Sequence, residues 1–281
     1  MRMWPLGLAV CVGCAAPVGM TMRSMIPVLE EMEAAVSETD DLEIVRRGLP
    51  SGMLLVEGLV RREPRNARVR LLAAKLYSGY ALAFTEHDDP WAKSLYEKAR
   101  DHGLAGLRYG STLRAGTFAQ AENAVLRLGK GDVPLLFWTA QAWASVIQMG
   151  LDDPRNQADL ARVESMMERV LVLDEQFYYG GAHLFKGVLL GAKPPPAGGD
   201  PAAGIAAMER AFEISGGHSL LPLYFQASLQ AAIPGMEDDA RRTIRRILGD
   251  QGSHPCELNL TNAIAAFKAK SLLQMLQEEE E

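Results

Sequence analysis

Side chains that carry chemistry are thinly spread along this chain. The five histidines, His87, His102, His183, His218 and His254, lie in separate segments, without the HExxH or paired-ligand spacing that holds a zinc ion. Gly198-Gly199-Asp200 is flanked by neither GxxxxGK[ST] nor GxGxxG, so it reads as a linker and helix cap rather than a phosphate cradle. No GxSxG nucleophile elbow occurs. The expectation is a protein that is not an enzyme and uses no metal or cofactor.

What the spacing does offer is aromatic side chains beside neutral polar ones on single helix faces. Tyr77, Tyr80 and Phe84 recur at i, i+3 and i+7. Trp138, Gln141, Ser145 and Gln148 share a face distinct from the apolar stripe of Leu136, Ala140, Trp143 and Ile147. Tyr179, His183 and Lys186 form a third strip. Apolar walls with a few polar groups suit a small organic, amphipathic ligand, provided the three strips face one lumen. Taken singly, each aromatic also fits ordinary core packing.

Strips of this kind need helices to hold them. The 281 residues exceed the ~100 to 200 of a common domain, yet no polar linker divides two cores, so one elongated domain is expected. A hydrophobic fraction of 48% permits a folded core, and a net charge of -6 argues against nucleic acid as a partner. Glycine and proline cut the chain into helix-length pieces, and no alternating apolar run is long enough for a strand. A first helix is expected from Ser24 to Val36; Asp40-Asp41 would charge the start of the next, and Pro50 would open "SGMLLVEGLVRRE".

From there the pattern is of helix hairpins. "NARVRLLAAKLYSGYALAFTE" returns across "HDDP" as "WAKSLYEKARDHGLAGL", with Asp89 as cap and Pro90 at the first helical position. Residues 133–150 pair with 157–174, 177–192 with 202–215, and 220–235 with 236–250. These last three units advance by about 42 to 44 residues, longer than the ~34 of a tetratricopeptide repeat. The expected architecture is an all-α, tetratricopeptide-like α-solenoid of antiparallel hairpins over 24–277, with the first helices on its concave side and an acidic tail at 278–281. On a regular helix from Phe177 to Ala192, Tyr178, Ala182, Phe185 and Leu189 would form one stripe and Gly180, Gly187 and Gly191 the nearly opposite one. Interior glycines cost ~1 kcal/mol each relative to alanine, so that stripe predicts a closely approaching neighbour.

The N-terminus reads as an address. Arg2, an apolar run from Trp4 to Val12 and then Gly13-Cys14 follow the order of a secretory signal, and the run falls short of the ~20 apolar residues that span a bilayer. Cys14, after Gly13, suits a lipobox better than Cys11, after Val10. Residues 1–13 are thus expected to be a lipoprotein signal peptide, Cys14 the lipidated residue and 14–23 a tether; an ordinary cleaved signal and an uncleaved anchor are the competing readings. Ala15 after the cysteine, where aspartate would favour inner-membrane retention, points to the outer membrane. Cys256 is solitary, so no disulfide framework is implied.

The stretches "LLAAKLYSGYALAFTEHDDPWAKSLYEKARDHGLAGL", "DVPLLFWTAQAWASVIQM", "DEQFYYGGAHLFKGVLLGAKPPPAGGDPAAGIAAMERAFEISGG" and "LTNAIAAFKAKSLL" resemble the TatT family, the T component associated with tripartite ATP-independent periplasmic (TRAP) transporters. The resemblance runs in order from about Ser24 to Leu276. It implies a periplasmic lipoprotein of tetratricopeptide-like helices that forms a homotrimer, carries a ligand-accessible pore or cleft in each protomer and associates with the substrate-binding P component. It supplies motif positions rather than catalytic residues: Tyr77 to Tyr80, Tyr179 to His183, Gly199 to Pro201, and Asn262, which must find hydrogen-bond partners if buried. The candidate lumen residues are then Tyr77, Tyr80, Phe84, Trp138, Gln141, Tyr179, His183 and Asn262. A general tetratricopeptide adaptor, scaffolding envelope proteins without a small ligand, is the alternative.

Overall fold

The computed structural model describes residues 25–85, 89–150 and 154–278. Cys11, Cys14, the expected signal peptide and tether, and the last three residues of the acidic tail lie outside them. Among the described residues the chain forms thirteen α-helices and no strand, so the fold is all-α.

Helix starts follow local chemistry. Helix α1 (Met25–Glu38) precedes α2 (Leu42–Arg62), where Asp41 accepts from the amides of Glu43 and Ile44. Asn66 caps α3 (Ala67–Phe84), and Asp89 accepts from the Trp91 amide at 2.8 Å to start α4 (Pro90–Gly106). Each cap satisfies amides that the first turn leaves without an intrahelical partner. Pro50 does not open a helix; it sits inside α2. A proline there has no N–H for the carbonyl four residues back, that of Arg46. The Tyr80 hydroxyl of α3 donates to that oxygen at 3.4 Å, which lets α2 run through.

Two short helices, α5 (Gly110–Ala115) and α6 (Phe118–Leu126), interrupt the run of hairpins where none was expected. They are fastened by α8 (Pro154–Leu173), whose Arg162 donates to the carbonyls of Leu113 and Gly116 and whose Arg169 donates to that of Leu128 at 2.7 Å. Between them, α7 (Val133–Gln148) carries Trp138 and Trp143 and packs on both α4 and α8.

Helices α9 (Phe177–Ala192) and α10 (Pro201–Ile214) make the closest pair. A Cβ on Gly187 would lie 2.7 Å from the Gly204 carbonyl and 2.6 Å from Met208 Cγ. The predicted glycine face is therefore where the two backbones meet. The opening turn of α9 departs from the regular helix: Tyr178, Tyr179 and Gly180 have φ of 50°, 56° and 76°. This left-handed turn costs roughly 1–2 kcal/mol per non-glycine residue, and it takes Tyr178 and Tyr179 off the wheel that a regular helix would give them.

Helix α11 (Leu221–Ala231) pairs with α12 (Glu237–Leu248), and α13 (Asn259–Glu278) packs on both. The last helix then returns to the first. Asn259 Nδ2 donates to the Glu38 carbonyl at 2.8 Å, and α13 with the 3-10 turn Cys256–Leu258 lies against α1. The buried apolar side chains form three clusters, one among α1 to α4 joined by Ala142 and Val146 of α7, one from Ala74 of α3 through α4 to α9, and one among α11 to α13.

Candidate ligand-binding cavity

Closure of the chain on itself surrounds a cavity of about 460 Å³, within the ~300–1,000 Å³ of small-molecule sites. The first helix of each hairpin turns a face to it: α3 through Leu76 to Phe84, α7 through Phe137 to Gln148, α9 through Tyr178 to Leu189, and α11 through Leu221 to Phe225. Helices α1, α2 and α13 complete the wall. Among the described residues of the outer helices, α4 contributes Tyr96 and α8 contributes Leu160.

One end of the cavity is aromatic. The Tyr178 ring meets Trp138 edge-on at 5.0 Å between centroids and Phe137 at 5.7 Å. Its side chain keeps 39% of its surface accessible, yet burial pushes its phenol above the ordinary range. Both facts hold because the accessible surface faces the cavity. Thr261 of α13 lines the same cavity. The left-handed turn is what turns this ring inward, and it could have been suspected from two aromatics followed directly by two glycines.

The polar groups of the wall are mostly neutral. Burial pushes the Tyr96 phenol up to about 12, and Ser145, whose hydroxyl donates to the Gln141 carbonyl at 3.2 Å, lines the same wall. Ser78 Oγ and Gln141 Oε1 are buried with no hydrogen-bond partner. Charge is present as an ion pair, Lys75 Nζ to Glu33 Oε1 at 2.6 Å, which joins α3 to α1. At the rim the Tyr179 hydroxyl donates to Glu257 Oε1 at 2.7 Å. Burial and that carboxylate push the Tyr179 phenol up to about 12, while the same bond holds Glu257 below the usual carboxylate range.

Of the sequence candidates, Phe84, Trp138, Gln141 and Tyr179 come together on the cavity wall, and Gln148 joins them. Tyr77, Tyr80, His183 and Asn262 stand outside its lining. Tyr77 donates to Glu57 at 2.9 Å and stacks on His102. Tyr80 serves the Arg46 carbonyl, as described above. His183 bonds through Nε2 to Glu175 at 2.9 Å, and Arg210 of α10 reaches the same carboxylate. Asn262 accepts from the Leu220 amide and donates to the His218 carbonyl, both at 2.9 Å, fixing the entry to α11. Sequence reasoning did not single out Tyr178, Thr261, Glu257 or the Glu33–Lys75 pair as cavity groups. Three of these lie outside the hairpin strips, and Tyr178 was placed in an apolar stripe by the regular wheel.

Among the described residues no three His, Cys, Asp or Glu side chains come together to hold a metal ion, and no helix is long and apolar enough to cross a membrane. A family model described as TRAP transporter T-component matches residues 38–279. No curated protein matches the chain.

Proposed function

The chain belongs to the TRAP transporter T-component family, and from that membership we propose that it docks the periplasmic substrate-binding P component and holds or relays a small organic ligand through its cavity. The observation that carries the ligand half is the convergence of the inner faces of α3, α7, α9, α11 and α13 on one apolar space with few, mostly neutral polar groups. Sites for small molecules are built this way, with burial supplying affinity and sparse polar groups fixing orientation. The docking half is supported by the family alone.

In the same proposal the protein is a homotrimer anchored through lipid on Cys14, with its helical body, 24–277, in the periplasm and its anchor in the outer membrane. An acyl chain supplies membrane affinity without a spanning helix. The experiment is a pull-down with the cognate substrate-binding protein, together with light scattering of the purified protein. Capture of the binding protein by a trimer is the expected result. A monomer with no affinity for it would contradict the proposal.

A further inference from the structure

We propose that the cavity selects uncharged amphiphiles, ending in a hydroxyl or carboxamide, over carboxylates and ammonium ions of the same length. This rests on the cavity being a ligand site at all. Among the described lining residues the full charges are Glu33, Lys75 and Glu257. Lys75 is already engaged by Glu33 at 2.6 Å, and both side chains are about three-quarters buried. Glu257 is exposed at the rim and accepts from Tyr179. No arginine or histidine is among the described residues that line the space.

A carboxylate entering this cavity loses its water and finds no free cation. To gain one it must take Lys75 from Glu33, leaving a buried carboxylate alone, the costly way to break a buried pair. The rim charge of Glu257 also opposes its approach. An ammonium ion finds Glu33 already met by Lys75 and reaches Glu257 only at the exposed rim, where solvent screens the attraction, so inside the cavity it too is left uncompensated. The remaining polar wall is made of hydroxyls and carboxamides, including Ser37, Ser145, Gln148 and Thr261. Such groups both donate and accept. A ligand hydroxyl or carboxamide does the same, whereas a carboxylate only accepts and an ammonium only donates. The unpartnered Gln141 Oε1 is an acceptor, which a carboxylate cannot satisfy.

The test is a titration of the purified full-length protein at neutral pH with decanol, decanoate and decylammonium, followed by tryptophan fluorescence with Trp138→Phe as the control that assigns the signal to the cavity. Decanol is expected to bind about tenfold or more tighter than either ion, the discrimination that an uncompensated buried charge imposes. Equal or tighter binding of either ion overturns the selectivity and leaves the ligand reading standing; binding of none of the three overturns both. Glu33→Gln frees Lys75 and is expected to raise decanoate affinity by about tenfold, with its helical circular dichroism and melting checked in parallel. A folded Glu33→Gln protein with unchanged decanoate affinity would also overturn the proposal.

Discussion

The Tyr179 hydroxyl donates to Glu257 Oε1 at 2.7 Å, tying the left-handed turn that opens α9 to the 3-10 turn that leads into α13. The two residues are far apart in sequence and meet because the last helix returns to the first. That bond is the main reason the Glu257 carboxylate lies below its usual range. In Tyr179→Phe, Glu257 should titrate at higher pH, back toward an ordinary glutamate. Carbon-detected NMR titration of the side-chain carboxylates would show it, and an unmoved Glu257 would mean that the turn is not held there.

Gly187→Leu should destabilise the protein by about 1–3 kcal/mol through overpacking. The added side chain has nowhere to go, because its first carbon would already overlap the Gly204 carbonyl and Met208. Urea unfolding of the two proteins measures the difference. A neutral result would contradict the close α9–α10 approach.

His102 makes stability depend on pH. Its Nδ1 faces the Arg70 guanidinium at 2.9 Å and must accept, so Nε2 carries the proton and donates to Glu57 at 3.0 Å. Burial lowers the His102 pKa below 6.5, with Arg70 acting in the same direction and Glu57 and Asp101 opposing. As pH falls below 6.5, the unfolded chain takes up the proton first, so stability is lost until the folded-state pKa is passed. The slope from this group is at most about 1.4 kcal/mol per pH unit. Glu57 acts with the same sign at lower pH: burial raises its pKa, but the bonds from Tyr77 and His102 outweigh that and hold it below 4.5. Urea unfolding across the weakly acidic range should show a steeper loss for the native protein than for His102→Gln; parallel curves would contradict this assignment.

The helices were legible in the sequence because their stop signals are local. Asp89-Pro90 and Asp200-Pro201 each place a cap before a proline, and both caps form, with Asp200 accepting from the Ala203 amide at 3.0 Å. The face that Trp138, Gln141 and Gln148 share was legible for the same reason, since it depends only on helical period within α7. What escaped was set by contacts distant in sequence. Pro50 looked like a helix start until Tyr80 supplied the donor for Arg46, and Asn262 looked like a lumen group until the Leu220 amide and His218 carbonyl were seen to use it. Tyr178 escaped because a wheel assumes right-handed backbone, and three residues of α9 do not have it.

Lipidation of Cys14 predicts that Cys14→Ala releases soluble protein from the membrane fraction. Mass spectrometry of the native protein should find the acyl mass on that residue. Unchanged partitioning together with unchanged mass would remove the anchor from the proposal.

The central claim, that the cavity is the ligand site, is tested most directly at Gly79. This residue of α3 lines the cavity, and a Cβ built on it meets nothing within 4 Å. The first carbon of a side chain there meets open space, so a large side chain grows toward the cavity, and loss of a helical glycine removes a penalty of up to ~1 kcal/mol. Calorimetric titration of the native protein and Gly79→Trp with decanol is the measurement. The variant is expected to melt no lower than the native protein and to bind decanol at least about tenfold more weakly, since the indole now occupies the space where the ligand is buried. A folded Gly79→Trp protein that binds decanol as tightly as the native one would contradict it.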